Sequence, residues 1–563
     1  GEQKEYLELK KGTAIQNSDI FSGIQLGWER YRQGADIQNT INSIISNYDI
    51  LHPEKSVDAL LKVYGQLKLI PEDQLIQYKK QQVQKIIVAC LGLWLEPVAE
   101  KDMVANGDNL NIVSTSLKRV DYPLSLESIT ILGKEYKSGE ILPAGINQID
   151  SFKIVVPEGI SSSPYWLNGA YDGVFNVEDR KLIGKAENDP AIIFTYNVKV
   201  GNEIFAINRG VVYKETDAVK GEIYTPLAVV PRAIVHADSY NLIYTDSLSK
   251  NFPLLIKSYA ADTIAGNVRL FGNRANISSK AYTLNKNGES ATLNFTITPP
   301  KQNGTKDIGL NISGNNENET LGESAKKIRV ISYDHIPRQV VVEDAKLHVV
   351  KFDAMPSTKK VLYIDGAGDL VDESLKQIGV NITTIKPEDM NAALLQQYDV
   401  AIIGVRAFNT SKVLADNNAQ LMEFVNAGGT VIAQYSTNWD MYLEKIGPYN
   451  FKITRTRVTD ENSPVEFLLP EHKVLNSPNK ITQDDFTGWV QERGIYFAGE
   501  LAPEYVAPLA FTDPNEQPQN GSLIIAQYGK GTFMYTGLAF FRELPAGVAG
   551  AFRLMLNMIE YKP

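Results

Sequence analysis

Nine side chains toward the C-terminal end carry groups that could grip or transform a polar ligand. They are Asp365, Arg406, Tyr435, Trp489, Gln491, Glu492, Arg493, Arg542 and Glu543. Arginine forks set among carboxylates and aromatic rings suit a hydroxylated, sugar-like ligand. The same residue types also build buried ion-pair networks that only hold loops in place. Both readings stand at the level of sequence.

Covalent chemistry has less to work with. Nucleophilic catalysis needs an activated Cys or Ser beside a base. The single cysteine, Cys90, shares a helical spacing with Val83, Ile87, Leu91 and Trp94, which makes it a small core hydrophobe. The stretch GGTVIAQYSTN (428–438) has the form of a buried strand ending at a turn, where α/β enzymes place a nucleophile. Its Ser436 is flanked by Tyr435 and Thr437, too bulky for such a turn, and His472 is the one histidine in that region. The five histidines, at 52, 236, 335, 348 and 472, are spread along the chain and form no ligand spacing. No P-loop, GxGxxG or HExxH string occurs. No catalytic residue and no metal ligand is therefore assigned.

The candidate residues must be positioned by something, and the pattern changes along the chain supply it. Residues 1–104 read as a helical bundle, with Asp19 capping a helix through FSGIQLGWERYRQG and a third helix running from Pro71 to Leu95. Residues 105–224 and 225–354 are short β-branched runs broken by Gly, Asn and Pro, the pattern of β-sandwich-like domains, the second Ig-like. An Asn- and Gly-rich stretch, QNGTKDIGLNISGNNENETLGE, reads as a hairpin with a mobile loop. Residues 355–563 alternate strand and helix through KKVLYIDG, YDVAIIGVRAF and GGTVIAQYS, which predicts an open, mainly parallel sheet. Ligands of such sheets sit beyond the carboxyl ends of the strands, where Asp365, Arg406 and Tyr435 fall.

Bulk composition narrows the partners. A length of 563 residues exceeds one core, and a net charge of −10 with no basic run argues against a nucleic-acid partner. No apolar run approaches the ~20 residues of a membrane-spanning helix. The chain opens Gly1-Glu2 without an initiator methionine, so further residues upstream are expected.

Five strings together resemble a known family. CLGLWLE (90–96), PYWL (164–167), YDHIP (333–337), GWVQERGIYF (488–497) and YTGLAFFRELPAGVAGAFRL (535–554) are similar to the long C-terminal region of bacterial LmbE/PIG-L-type deacetylases of the Bacteroidetes kind. In that family an N-terminal domain with an AHPDDE-type zinc motif removes acetyl groups from N-acetylglucosaminyl substrates. No such motif occurs here, so the resemblance implies a non-catalytic accessory region. Zinc is then expected only in an upstream catalytic domain. The implied partners are that domain and a glycan or N-acetylated sugar, in a periplasmic or secreted setting. Residues 355–563 resemble a flavodoxin-like, class I glutamine amidotransferase-like fold of the ThuA-like branch. By pattern, the cysteine of active amidotransferases falls at Tyr435, which implies no glutaminase activity. Two other roles remain open: a carbohydrate-active enzyme or sugar-binding module using Glu492, Glu543 or Asp365, and structural spacers or dimerisation domains.

Overall fold

The computed structural model describes residues 8, 10–12, 21, 24–168, 173–272, 275–314 and 322–562. Asp19 and the Asn-rich stretch 315–321 lie outside them.

Three helices, Gly34–Ser46, Val57–Lys68 and Gln74–Cys90, begin the described fold. The Asp73 carboxylate accepts the amide N–H of Ile76 and caps the third. Two expectations fail in this segment. Residues 24–33 hold one 3-10 turn, Trp28–Arg30, instead of a helix. The third helix stops at Cys90, because Gly92 takes φ +55 and turns the chain out of the helix. A strand, Trp94–Ala99, follows at once. Apolar residues at 91, 94 and 95 fit a helix as well as a strand, and the glycine decides between them.

That strand belongs to a five-stranded sheet of Gly221–Pro226, Val212–Asp217, Trp94–Ala99, Asn109–Leu117 and Gln148–Val155. A four-stranded sheet of Lys134–Ile141, Leu124–Ile131, Ile193–Val200 and Glu203–Gly210 faces it. Phe152 of one meets Phe194 of the other edge-on at 5.4 Å, and Ser114 and Tyr196 share a hydrogen bond of 2.6 Å. The helices pack on this sandwich through Tyr64 and Phe205, 5.0 Å apart, and share its core.

A second sandwich has a sheet of Ala233–His236, Lys250–Ser258 and Ser290–Ile297. The other sheet is built on Asn241–Tyr244, Lys346–Lys351, Gly304–Gly314, Ile264–Gly272 and Ala275–Leu284. A hairpin, Lys326–Tyr333 with Ile336–Asp344, leaves this sandwich and lies on the first. Its Val340 packs with Ala228 and Val230, and Ser163 bonds both the N–H and the carbonyl of Val342. Arg338 pairs with Asp102 across the same contact.

The C-terminal sheet runs in the order Asn381–Ile385, Lys360–Ile364, Val400–Ile403, Thr430–Gln434, Gly531–Thr536, Leu523–Tyr528. The first five strands are parallel, and the last is antiparallel to its neighbour. Parallel strands need both faces covered. Val361, Tyr363, Ile402 and Ile432 accordingly pack with the helix Ala549–Glu560 on one face. Leu362, Ile364, Ala401 and Val431 pack with Asn418–Ala427 on the other. Ile243, Val350 and Phe352 of the second sandwich enter the first of these cores, with Phe352 against Phe552 at 5.4 Å. No helix among the described residues is long and apolar enough to cross a membrane.

Candidate functional site

At the carboxyl edge of this sheet the chain leaves three neighbouring strands through Asp365, Gly404 and Tyr435. All five residues of the strand Thr430–Gln434 are buried, and burial continues through Tyr435, Ser436 and Thr437, so the chain reaches solvent only at Asn438. The long connection from 435 to 522 then folds back over the edge. It is tied down where Gly494 bridges both Val458 and Leu538. This return brings Glu492 and Tyr496 above the strand ends.

Tyr435 is the centre of the resulting cluster. Its ring stacks on Tyr496 at 5.7 Å with 10° between planes and meets Phe541 at 5.2 Å. Burial pushes its phenol up from the ordinary value, opposed by the nearby charges of Arg406 and Arg542. A phenol held protonated in this way is a hydrogen-bond donor and a packing surface, and a poor nucleophile at neutral pH. The Tyr435 carbonyl accepts the N–H of Arg406 at 2.8 Å. Arg406 itself has φ +56, and its buried Nε has no hydrogen-bond partner. Arg542 lies over Phe541 at 4.9 Å, with its Nε 3.5 Å from Glu492 Oε1. That separation is an ion pair; the same Nε makes no hydrogen bond.

Trp439 extends the cluster toward solvent. It is 44% exposed, stands edge-on to Tyr496 at 5.5 Å, and carries the Arg455 guanidinium at 5.1 Å. Positive φ gathers at the same place: Arg406, Asp440, Gln491 and Tyr496 all adopt it without being glycine. Such backbone costs on the order of 1–3 kcal/mol per residue and persists where surrounding contacts over-determine it.

The nine expected residues therefore divide. Arg406, Tyr435, Glu492 and Arg542 converge, and Gln491 flanks them on an exposed turn. Glu543 lies beneath, fully buried; it accepts the Val490 N–H at 2.9 Å through one oxygen, and the other oxygen has no partner. Burial raises its carboxyl from 4.5 to about 8, against the pull of Arg493 and Arg542. Asp365 stands apart: burial first and the charges of Asp372 and Asp369 second raise its carboxyl, against Lys386 and Lys376.

Trp489 and Arg493 point into the core. Trp489 is 3% exposed and donates Nε1–H to the Asp485 carbonyl at 3.0 Å. Arg493 is equally buried, donates to the carbonyls of Ser463 and Phe486, and lies over the Trp489 ring at 5.5 Å. Burial lowers its guanidinium to about 10. Ser436 and His472 are not partnered: His472 accepts from the Val474 N–H and stacks on Tyr561 at 5.6 Å.

Trp439, Tyr496, Phe541 and Arg455 were not among the expected residues. Tyr496 and Phe541 fall in the resembling strings 488–497 and 535–554, but nothing in those strings separates them from their neighbours, and Trp439 and Arg455 carry no signal beyond residue type.

No family model matches the sequence, and no curated protein does. Among solved structures, a cold-adapted β-galactosidase from Rahnella sp. R3 aligns at 16% identity with a TM-score of 0.22, covering 35% of this chain and 31% of that one. A red sea bream transglutaminase aligns at 9% identity and TM-score 0.23, over 50% of this chain and 34% of that one. The exo-β-1,4-mannosidase Op5Man5 from Opitutaceae bacterium strain TAV5 gives 10% and 0.23, with 35% of each chain covered. This chain thus spans about a third of the length of each of these structures, and the overlaps are too slight to carry an argument about fold or activity.

Proposed function

We propose that the carboxyl edge of the C-terminal sheet is a non-covalent binding site for a polar, carbohydrate-type ligand such as an N-acetylated glycan. The observation that supports this reading is the exposed Trp439 ring, backed by the Tyr496 ring and the buried Tyr435 and flanked by Arg406, Arg455 and Arg542. Aromatic faces cover the apolar side of a sugar ring, and guanidinium forks bond its hydroxyls or amide carbonyl. In this reading the domain has a flavodoxin-like, class I amidotransferase-like sheet of the ThuA-like branch, with Tyr435 where an active enzyme would hold cysteine. The chain as a whole is the accessory, ligand- or partner-positioning region of a bacterial LmbE/PIG-L-type deacetylase, whose zinc chemistry belongs to a separate catalytic domain.

Calorimetric titration of the chain with N-acetylglucosamine oligosaccharides, and with a separately expressed catalytic domain of that family, tests the proposal. Saturable heat that Tyr435→Ala or Trp439→Ala abolishes supports it. No heat with any of these partners refutes it.

A second reading has one specific observation in its favour. Glu543 is a carboxyl raised to about 8 beside Glu492, the kind of pair that can act as acid and base. Full burial of Glu543 and pairing of Glu492 with Arg542 weigh against it. Glycosidic turnover that Glu543→Gln removes would establish an enzyme instead.

A further inference from the structure

A separate cavity of about 680 Å³ opens at the other end of the chain, between the third helix, Gln74–Cys90, and the edge strand Glu203–Gly210. Its volume lies within the roughly 300–1,000 Å³ of small-ligand sites. Three cations line it, Lys85, Arg119 and Arg209, and none of its lining residues is acidic. Among the described residues, Lys85 and Arg119 have no ion pair or side-chain hydrogen bond. Among the described residues Arg209 donates to the neighbouring Asn208 carbonyl, at 3.1 Å, and to no other group. In a chain of net charge −10 this is a local concentration of uncompensated positive charge.

The cavity also has an apolar wall and amide groups. Trp94 lines it and is 45% exposed, with Gln84 and Asn208 beside it. Gln84 donates Nε2–H to the Ala206 carbonyl and Asn208 Oδ1 accepts the Thr195 hydroxyl, which leaves the Gln84 Oε1 and the Asn208 Nδ2 for a ligand. The backbone favours this arrangement. Gly92, at φ +55, has the Arg119 Cβ 2.8 Å from where a side chain of its own would begin. Glycine there lets the Arg119 stem lie against the turn that closes the helix.

We infer that this cavity is a second binding site, for a sugar that carries an acidic group. The guanidinium and ammonium groups take the carboxylate, sulfate or phosphate, the indole face takes the ring, and the amides take hydroxyls. The site is independent of the aromatic cluster in the C-terminal domain and stands or falls without it.

The test is titration of the intact chain with a glucuronate-containing disaccharide, glucose phosphate, plain glucose and inorganic phosphate. Binding is read by tryptophan fluorescence, with Trp94→Phe as the signal control, and by calorimetry. Saturable binding of an acidic sugar, weakened by salt and reduced roughly tenfold or more in Arg119→Gln, supports the inference. Which acidic sugar binds tells a polysaccharide end from a free sugar phosphate. The inference is overturned by any of three results: no saturable change, affinity unaltered in Arg119→Gln, or glucose or inorganic phosphate binding as tightly as the acidic sugars. Gly92→Ala, which moves Arg119 without removing charge, is expected to weaken the same titration.

Discussion

Replacing Glu543 by glutamine isolates one buried proton. The native carboxyl is raised from 4.5 to about 8, so the folded protein keeps a proton that the unfolded chain releases across that window. Where the folded state binds more protons, stability falls as pH rises. The groups facing Glu543 act in both directions: Glu492 raises the carboxyl further, while Arg493, Arg542 and the Val490 N–H lower it. At about 1.4 kcal/mol per pH unit, the C-terminal domain is expected to lose roughly 4 kcal/mol between pH 4.5 and about pH 8 on this account alone. A glutamine amide in place of the carboxyl would stay neutral throughout and can still accept the Val490 N–H. Glu543→Gln should therefore match the wild type near pH 5 and exceed it near pH 8. Urea unfolding of both proteins at the two pH values measures the difference. Infrared spectra at neutral pH should show a protonated-carboxyl stretch that the variant lacks. Parallel pH profiles for the two proteins, together with no such band, would refute the reasoning.

Arg493→Met should destabilise the C-terminal domain by about 1–3 kcal/mol for each of the Ser463 and Phe486 carbonyls that loses its buried donor; an unchanged urea midpoint would show the arginine to be dispensable. Phe352→Ala opens the seam against Phe552 and should cost about 3–5 kcal/mol. Limited proteolysis should then release the domain after residue 352. Ser163→Ala removes two bonds to Val342 and is expected to cost about 1–2 kcal/mol, with faster amide exchange confined to the hairpin. Tyr435→Phe keeps the stack on Tyr496, so thermal stability should hold while glycan affinity falls.

The C-terminal sheet was legible because its strands are short apolar runs bordered by glycine on one side or the other: KVLYI, VAII and TVIAQ are buried almost throughout. Residues at the ends of such runs, Arg406 and Tyr435, could be placed at the carboxyl edge by topology alone. Trp489 and Arg493 could not be separated from Glu492, because a turn at Gln491 with φ +72 sends adjacent side chains to opposite environments. Trp439 and Tyr496 are 57 residues apart and meet only through the fold-back of the long connection. Near Cys90, helix and strand patterns overlap, and the backbone of one glycine settles the boundary.

The hairpin 326–344 has a consequence for how the protein is made. Synthesis proceeds from the N-terminus, and domains generally fold as they emerge. The first sandwich is complete in strands by Pro226, yet the apolar patch at Ala228 and Val230 waits for Val340 to cover it. Until residues 338 to 340 have left the ribosome, after most of the second sandwich, that patch and the Asp102 carboxylate stand without their partners. The two sandwiches therefore mature together, and a chain stopped between residues 230 and 326 carries an exposed adhesive surface.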